Sequence, residues 1–78
     1  MSWNYRIVRY RENKGFGLHE VYYDAKGKPW SMTENPARFT CDADEGPRAI
    51  EEALMIARTD ARKRPVFDEP ETWPGEHP

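Results

Sequence analysis

Apolar and polar positions alternate with a period of two over Trp3–Tyr10. Trp3, Tyr5 and Ile7 fall on one face, with Asn4, Arg6, Val8 and Tyr10 on the other, which predicts a strand. Glu12-Asn13-Lys14-Gly15 supplies turn chemistry, because Gly15 can take the positive φ that closes a short hairpin loop. Phe16–Tyr23 predicts the returning strand, rich in aromatic and β-branched side chains. Its two faces are Leu18, Glu20, Tyr22 and His19, Val21, Tyr23. Asp24-Ala25-Lys26-Gly27-Lys28-Pro29 predicts a second turn, and Trp30–Thr33 a third strand. Asn35-Pro36 ends it, since the residue before proline avoids the helical region and proline donates no ladder bond. Arg38–Cys41 and Val66–Phe67 are candidates for short extra extended segments.

The period then changes. Ile50, Ala53, Leu54, Ala57 and Ala61 recur at helical spacing and predict one apolar stripe on a helix over Pro47–Arg64. Proline is tolerated at a first helical position, where its missing N–H has no partner to lose. Asp42, Asp44 and Glu45 near the start and Arg58, Arg62, Lys63 and Arg64 near the end suit the helix dipole, and Pro65 stops the helix.

These elements predict an α+β fold of order β-β-β-α. Its antiparallel sheet has three strands, or four with one of the extra segments, and a single C-terminal helix packs on one face. Residues 1–67 form the expected domain, and 68–78, with three prolines and four acids, a poorly ordered acidic tail. Placing Trp3, Tyr5 and Ile7 under the helix, opposite Val21 and Tyr23, leaves Arg6, Val8, Tyr10, Leu18, Glu20 and Tyr22 on an outer face. That arrangement also predicts an Arg6–Glu20 cross-strand pair. A chain this short buries only about 60% of its unfolded surface, so dimerisation through the outer face would add stability.

Composition narrows the function classes. Charged residues make up 33% and the apolar fraction is 37%, yet 13% of the 78 residues are aromatic, which favours a folded chain over a disordered one. No apolar run approaches the roughly 18 residues of a membrane helix, and Met1–Arg6 has no signal-peptide core, so a cytoplasmic protein is expected. One cysteine, Cys41, cannot staple the fold. The net charge of −2 conceals segregation: residues 1–30 carry +3, 31–57 carry −4, 58–64 carry +3 and 65–78 carry −4. A pI near 5.6 argues against a general nucleic-acid binder.

Specific chemistries fail on spacing. Cys41, His19 and His77 make no paired metal-ligand pattern. Asp42-Ala43-Asp44 begins like a calcium loop, but Pro47 stands where glycine is required and Ala53 where the bidentate acid belongs. Gly15-Phe16-Gly17 lies in a hairpin and is followed by Glu20 where a dinucleotide fingerprint needs glycine. No metal, cofactor or catalytic residue is therefore assigned, and a Cys41–His19 couple is the one nucleophilic pairing left open.

Trp3-Asn4-Tyr5-Arg6-Ile7-Val8-Arg9, His19-Glu20-Val21-Tyr22-Tyr23-Asp24 with Gly27-Lys28, and Thr33-Glu34-Asn35-Pro36 resemble a group of short bacterial proteins of unknown function. The likeness covers roughly 3–67 and implies a hairpin, a third strand and a helix, with no activity attached. Glu51-Glu52-Ala53-Leu54 also resembles a stretch in the antitoxin half of HicAB toxin–antitoxin pairs, although that family's Pro-Gly-Cys region is absent.

The functional expectation is a non-catalytic bacterial interaction module. Its candidate binding residues are Arg6, Val8, Tyr10, Leu18, Glu20 and Tyr22, and its partner is a protein or a second copy of the chain. Single-stranded nucleic-acid or antitoxin-like binding, through Arg6, Arg9, Arg11 and Lys14 around the tyrosines, is the alternative. A Cys/His enzyme ranks last.

Overall fold

The computed structural model describes residues 2–73. In chain order the elements are β1 (Ser2–Arg9), β2 (Phe16–Tyr23), β3 (Pro29–Met32), α1 (Arg48–Lys63) and β4 (Phe67–Asp68), with a 3-10 turn over Arg11–Asn13. They form a four-stranded sheet of order β3-β2-β1-β4 and one helix, the α+β arrangement expected. The first three strands are an antiparallel meander, but β4 joins β1 in parallel, pairing Val8 with Phe67 and Arg9 with Asp68. The sheet is therefore mixed. Its fourth strand comes from the segment after the helix and not from Arg38–Cys41, which has no strand geometry.

The hairpin register differs from the expected one by a single residue. Arg6 lies opposite His19, and Tyr5 opposite Glu20, so the Arg6–Glu20 pair does not form. The cause is the loop. Tyr10 N–H donates to the Gly15 carbonyl at 2.8 Å, and between them Glu12 (φ 60°) and Asn13 (φ 61°) both take left-handed backbone before Gly15 does (φ 102°). Asn tolerates that region and Glu pays steric strain for it, so sequence signals place the turn at the glycine alone. Because side chains alternate with period two, a slip of one residue exchanges the faces of an entire strand.

As a result Asn4, Arg6 and Val8 share a face with Gly17, His19, Val21 and Tyr23, and this face holds the core. Val8 and Val21 are fully buried, and His19 is 1% exposed. Tyr10, Met32 and Phe67 pack around the cluster. The curled sheet thus encloses the side that the sequence pattern left open.

The helix meets the sheet along β1. Its buried stripe centres on Ala57, as the spacing predicts, while Leu54 is displaced outward with Met55 and Ile56. One turn beyond Ala57, the Asp60 carboxylate accepts the Tyr5 backbone N–H at 3.1 Å. That bond satisfies a donor on the edge of β1 that β4 does not reach, and keeps the edge from serving as a template for another strand. Tyr5 is buried there, with Trp3 edge-on at 5.2 Å and Phe39 at 6.0 Å between ring centroids. Burial pushes the Tyr5 phenol up, and the charges of Glu20 and then Asp60 push it further. Helix α1 therefore flanks the outer edge of β1, and Trp3 and Ile7 remain largely uncovered.

Of the tail, Asp68 and Glu69 lie beside the end of β1, and Trp73 packs on Phe67. Glu69 N–H donates to the Arg9 carbonyl at 3.0 Å, the Glu69 carboxylate accepts the Arg11 N–H at 3.0 Å, and Trp73 stacks on Phe67 at 5.9 Å. Residues 74–78 of the expected tail lie outside the described residues. No helix among the described residues is long and apolar enough to cross a membrane.

Candidate functional site

The six candidate binding residues do not share a surface. Val8 is fully buried in the core. Arg6 and Tyr10 lie on the enclosed face with it, whereas Leu18, Glu20 and Tyr22 lie on the opposite, Tyr5 face. The one-residue slip in register explains the split.

On the enclosed face the polar groups are engaged with one another. His19 Nδ1 bonds the Thr33 carbonyl at 2.9 Å, with the Thr33 hydroxyl at 3.2 Å, and Nε2 meets the Tyr10 hydroxyl at 2.7 Å. A carbonyl can only accept, so Nδ1 carries a hydrogen, and in the neutral ring Nε2 accepts from Tyr10. Arg6 donates through Nη1 to the Tyr23 hydroxyl at 3.1 Å and through Nη2 to the Pro65 carbonyl at 2.9 Å. Tyr23 in turn donates to Asn4 Oδ1 at 2.8 Å. The Arg6 guanidinium also lies 5.2 Å from the Phe67 ring centroid.

The Cys41–His19 couple left open by the sequence does not assemble. Both His19 nitrogens are occupied, and Cys41 Sγ faces the Gly46 carbonyl at 3.2 Å. Among the described residues, no three His, Cys, Asp or Glu side chains are grouped to hold a metal ion. The basic stripe proposed for nucleic acid is largely neutralised within the chain. Arg9 pairs with Asp68 at 2.9 Å, Lys14 with Glu12 at 3.4 Å, and Arg11 reaches Glu71 at 4.0 Å. Tyr10 and Tyr22 point to opposite faces, so they cannot make one stacking platform.

What the structure does bring together is a different set. Cross-strand pairs Trp3–Tyr22, Ile7–Leu18 and Arg9–Phe16 lie on the Tyr5 face. Phe16 is 61% exposed, Trp3 48% and Ile7 37%. Arg9 lies 5.7 Å from the Phe16 ring centroid. These residues flank Tyr5, whose ring packs against Trp3 and Phe39. Sequence reading placed Trp3 and Ile7 in the core because it spread the helix over the whole face. The short stripe of alanines was the available signal that the helix could approach only one strand closely.

The Tyr22 hydroxyl donates to Glu20 Oε1 at 2.8 Å. That bond, followed by burial and the Glu20 charge, raises the phenol above its ordinary value of about 10. The folded chain therefore holds this proton more tightly than the unfolded chain does. Its contribution to stability is complete below about pH 10 and fades as pH rises through the folded value. A Glu20→Gln chain should show the Tyr22 titration moving down toward the ordinary phenol range, measured by ultraviolet absorbance against a Tyr22→Phe reference. An unmoved titration would mean that the hydrogen bond does not hold the proton.

Comparison with protein-family models, with curated proteins and with solved structures finds no match for this chain.

Proposed function

We propose that this chain is a non-catalytic protein-binding module, docking through the sheet face that carries Trp3, Ile7, Phe16, Leu18 and Tyr22. The observation that carries the proposal is the exposure of Phe16, Trp3 and Ile7 on that one face. Aromatic side chains flanked by arginine are the composition enriched at the centres of interfaces, where a few residues supply most of the binding energy. Glu20, already tied to Tyr22, adds a polar element to the middle of the face.

Trp3 and Phe16 are largely exposed, but Trp3 packs edge-on against Tyr5 and Phe16 lies under Arg9, so removing both rings should cost about 1–2 kcal/mol and leave the chain folded. Their loss should nevertheless weaken the complex at least about thirtyfold, the effect of losing a binding hot spot. The experiment is affinity capture from a lysate of the source cell, followed by titration of the captured protein against wild type and a Trp3→Ala/Phe16→Ala chain. Equal affinity of the two chains, or no specific capture, would overturn the reading. Sedimentation of the chain alone shows whether the partner is a second copy.

A further inference from the structure

We propose that the groove between the start of β1 and the end of α1 is a binding site for a phosphate monoester, held by Arg6 and Arg64. The groove is open, has a volume of about 380 Å³, and is lined by Ser2, Asn4, Arg6, Tyr23 and Arg64 together with the backbone near Gly27 and Pro65. Among the described residues no acidic side chain lines it. Two arginines from distant parts of the chain therefore meet there with no acidic partner among those residues.

Both are incompletely satisfied. Arg6 Nε and Arg64 Nη1 are buried and have no hydrogen-bond partner among the described residues. Neither guanidinium makes a salt bridge among those residues, although Arg9, Arg11 and Lys14 all do. A partly desolvated cation left without an acceptor is unfavourable, and an arriving anion relieves that cost. Arginine carries five donors in a planar fork and pairs with phosphate through two parallel bonds. Two guanidinium charges match a phosphate monoester, which approaches a charge of −2 above its second pKa of about 6.

The remaining lining gives the site a second half. Arg6 is already oriented by Tyr23, Pro65 and the Phe67 ring, so little of its freedom remains to be lost on binding. Ser2 and Asn4 add polar groups beside the arginines, and the groove is in the size range of small-molecule sites, larger than phosphate alone requires. The anion belongs against the arginines, and the ester group toward Ser2 and Asn4. This site lies apart from the docking face and does not depend on it.

Arginine side-chain NMR tests the proposal directly, because the Nε–H signal of Arg6 and the Nη–H signals of Arg64 report on the two unpartnered groups. Inorganic phosphate and glycerol phosphate are titrated at constant ionic strength, with acetate and chloride as controls. Saturable shifts of both signals are expected, with glycerol phosphate binding more tightly than inorganic phosphate and acetate more weakly than either. Arg64→Gln should weaken glycerol phosphate binding at least about tenfold, the loss expected for one charged hydrogen-bonding partner. Arg64 makes no side-chain hydrogen bond or salt bridge among the described residues, so that variant should fold, and its amide spectrum checks that it has. Non-saturating shifts, binding of acetate as tight as that of phosphate, or an Arg64→Gln chain that binds unchanged would each overturn the assignment.

Discussion

Replacing Gly17 with alanine should destabilise the fold by about 3 kcal/mol, the sum of an overpacked contact and a buried group deprived of its partner. Gly17 sits opposite Val8 in the hairpin, on the enclosed face. The Tyr10 ring passes directly over it to reach His19. A Cβ added at Gly17 would lie 2.8 Å from Tyr10 Cζ and 3.3 Å from His19 Nε2, and would overlap the Tyr10 hydroxyl outright. The end of the Tyr10 ring must shift, and a shift large enough to clear the methyl group breaks the 2.7 Å bond to His19 and leaves its buried nitrogen without the hydroxyl. Urea denaturation provides the measurement, and a double-mutant cycle assigns the cause. In a Tyr10→Ala background the same alanine should cost less than about 1 kcal/mol, since the obstructing ring is gone. An equal cost in both backgrounds would show that Gly17 serves the strand backbone and not the Tyr10–His19 contact.

Phe67→Ala should have an effect of similar size, about 3 kcal/mol. Phe67 is the one apolar residue of β4, and three separate contacts converge on it. It pairs with Val8 in the parallel ladder, lies beneath the Arg6 guanidinium and stacks against Trp73. Truncation uncovers the fully buried Val8 and releases the segment that carries Asp68 and Glu69 along β1. Since small domains have total stabilities near the low end of roughly 5–15 kcal/mol, a chain lacking this ring should be substantially unfolded at modest urea concentrations. Tryptophan fluorescence provides a second readout, because Trp73 loses its stacking partner. A loss below about 1 kcal/mol would mean that β4 decorates the sheet without supporting it.

The architecture was readable in the sequence wherever one short-range signal dominated. Phe16–Tyr23 coincides with β2, the helix predicted over Pro47–Arg64 spans Arg48–Lys63, and Val66–Phe67 anticipates β4. What escaped was the pairing between elements. Register depends on the length and backbone of a loop, and left-handed Glu12 has no compositional marker. Once that register moved by one residue, Val8 passed from the expected surface to the core beside His19 and Val21, while Trp3 and Ile7 stay exposed because the helix meets the sheet along β1 alone. The Tyr10–His19 contact was hidden for the same reason: only in the observed register does Gly17 leave room between them. The groove of Arg6 and Arg64 could not be read from a sequence in which the two lie 58 positions apart.

Helix α1 and β4 also bear on how the chain acquires its shape. The partners of β1 on its outer side, Asp60 and Phe67, follow it by more than fifty residues. The local β1–β2 hairpin can close early, while contacts of such long sequence separation form late. During synthesis that flank of β1 presents uncapped amides until α1 and β4 have emerged from the ribosome. This interval is when the nascent molecule is most vulnerable to joining a neighbour strand to strand.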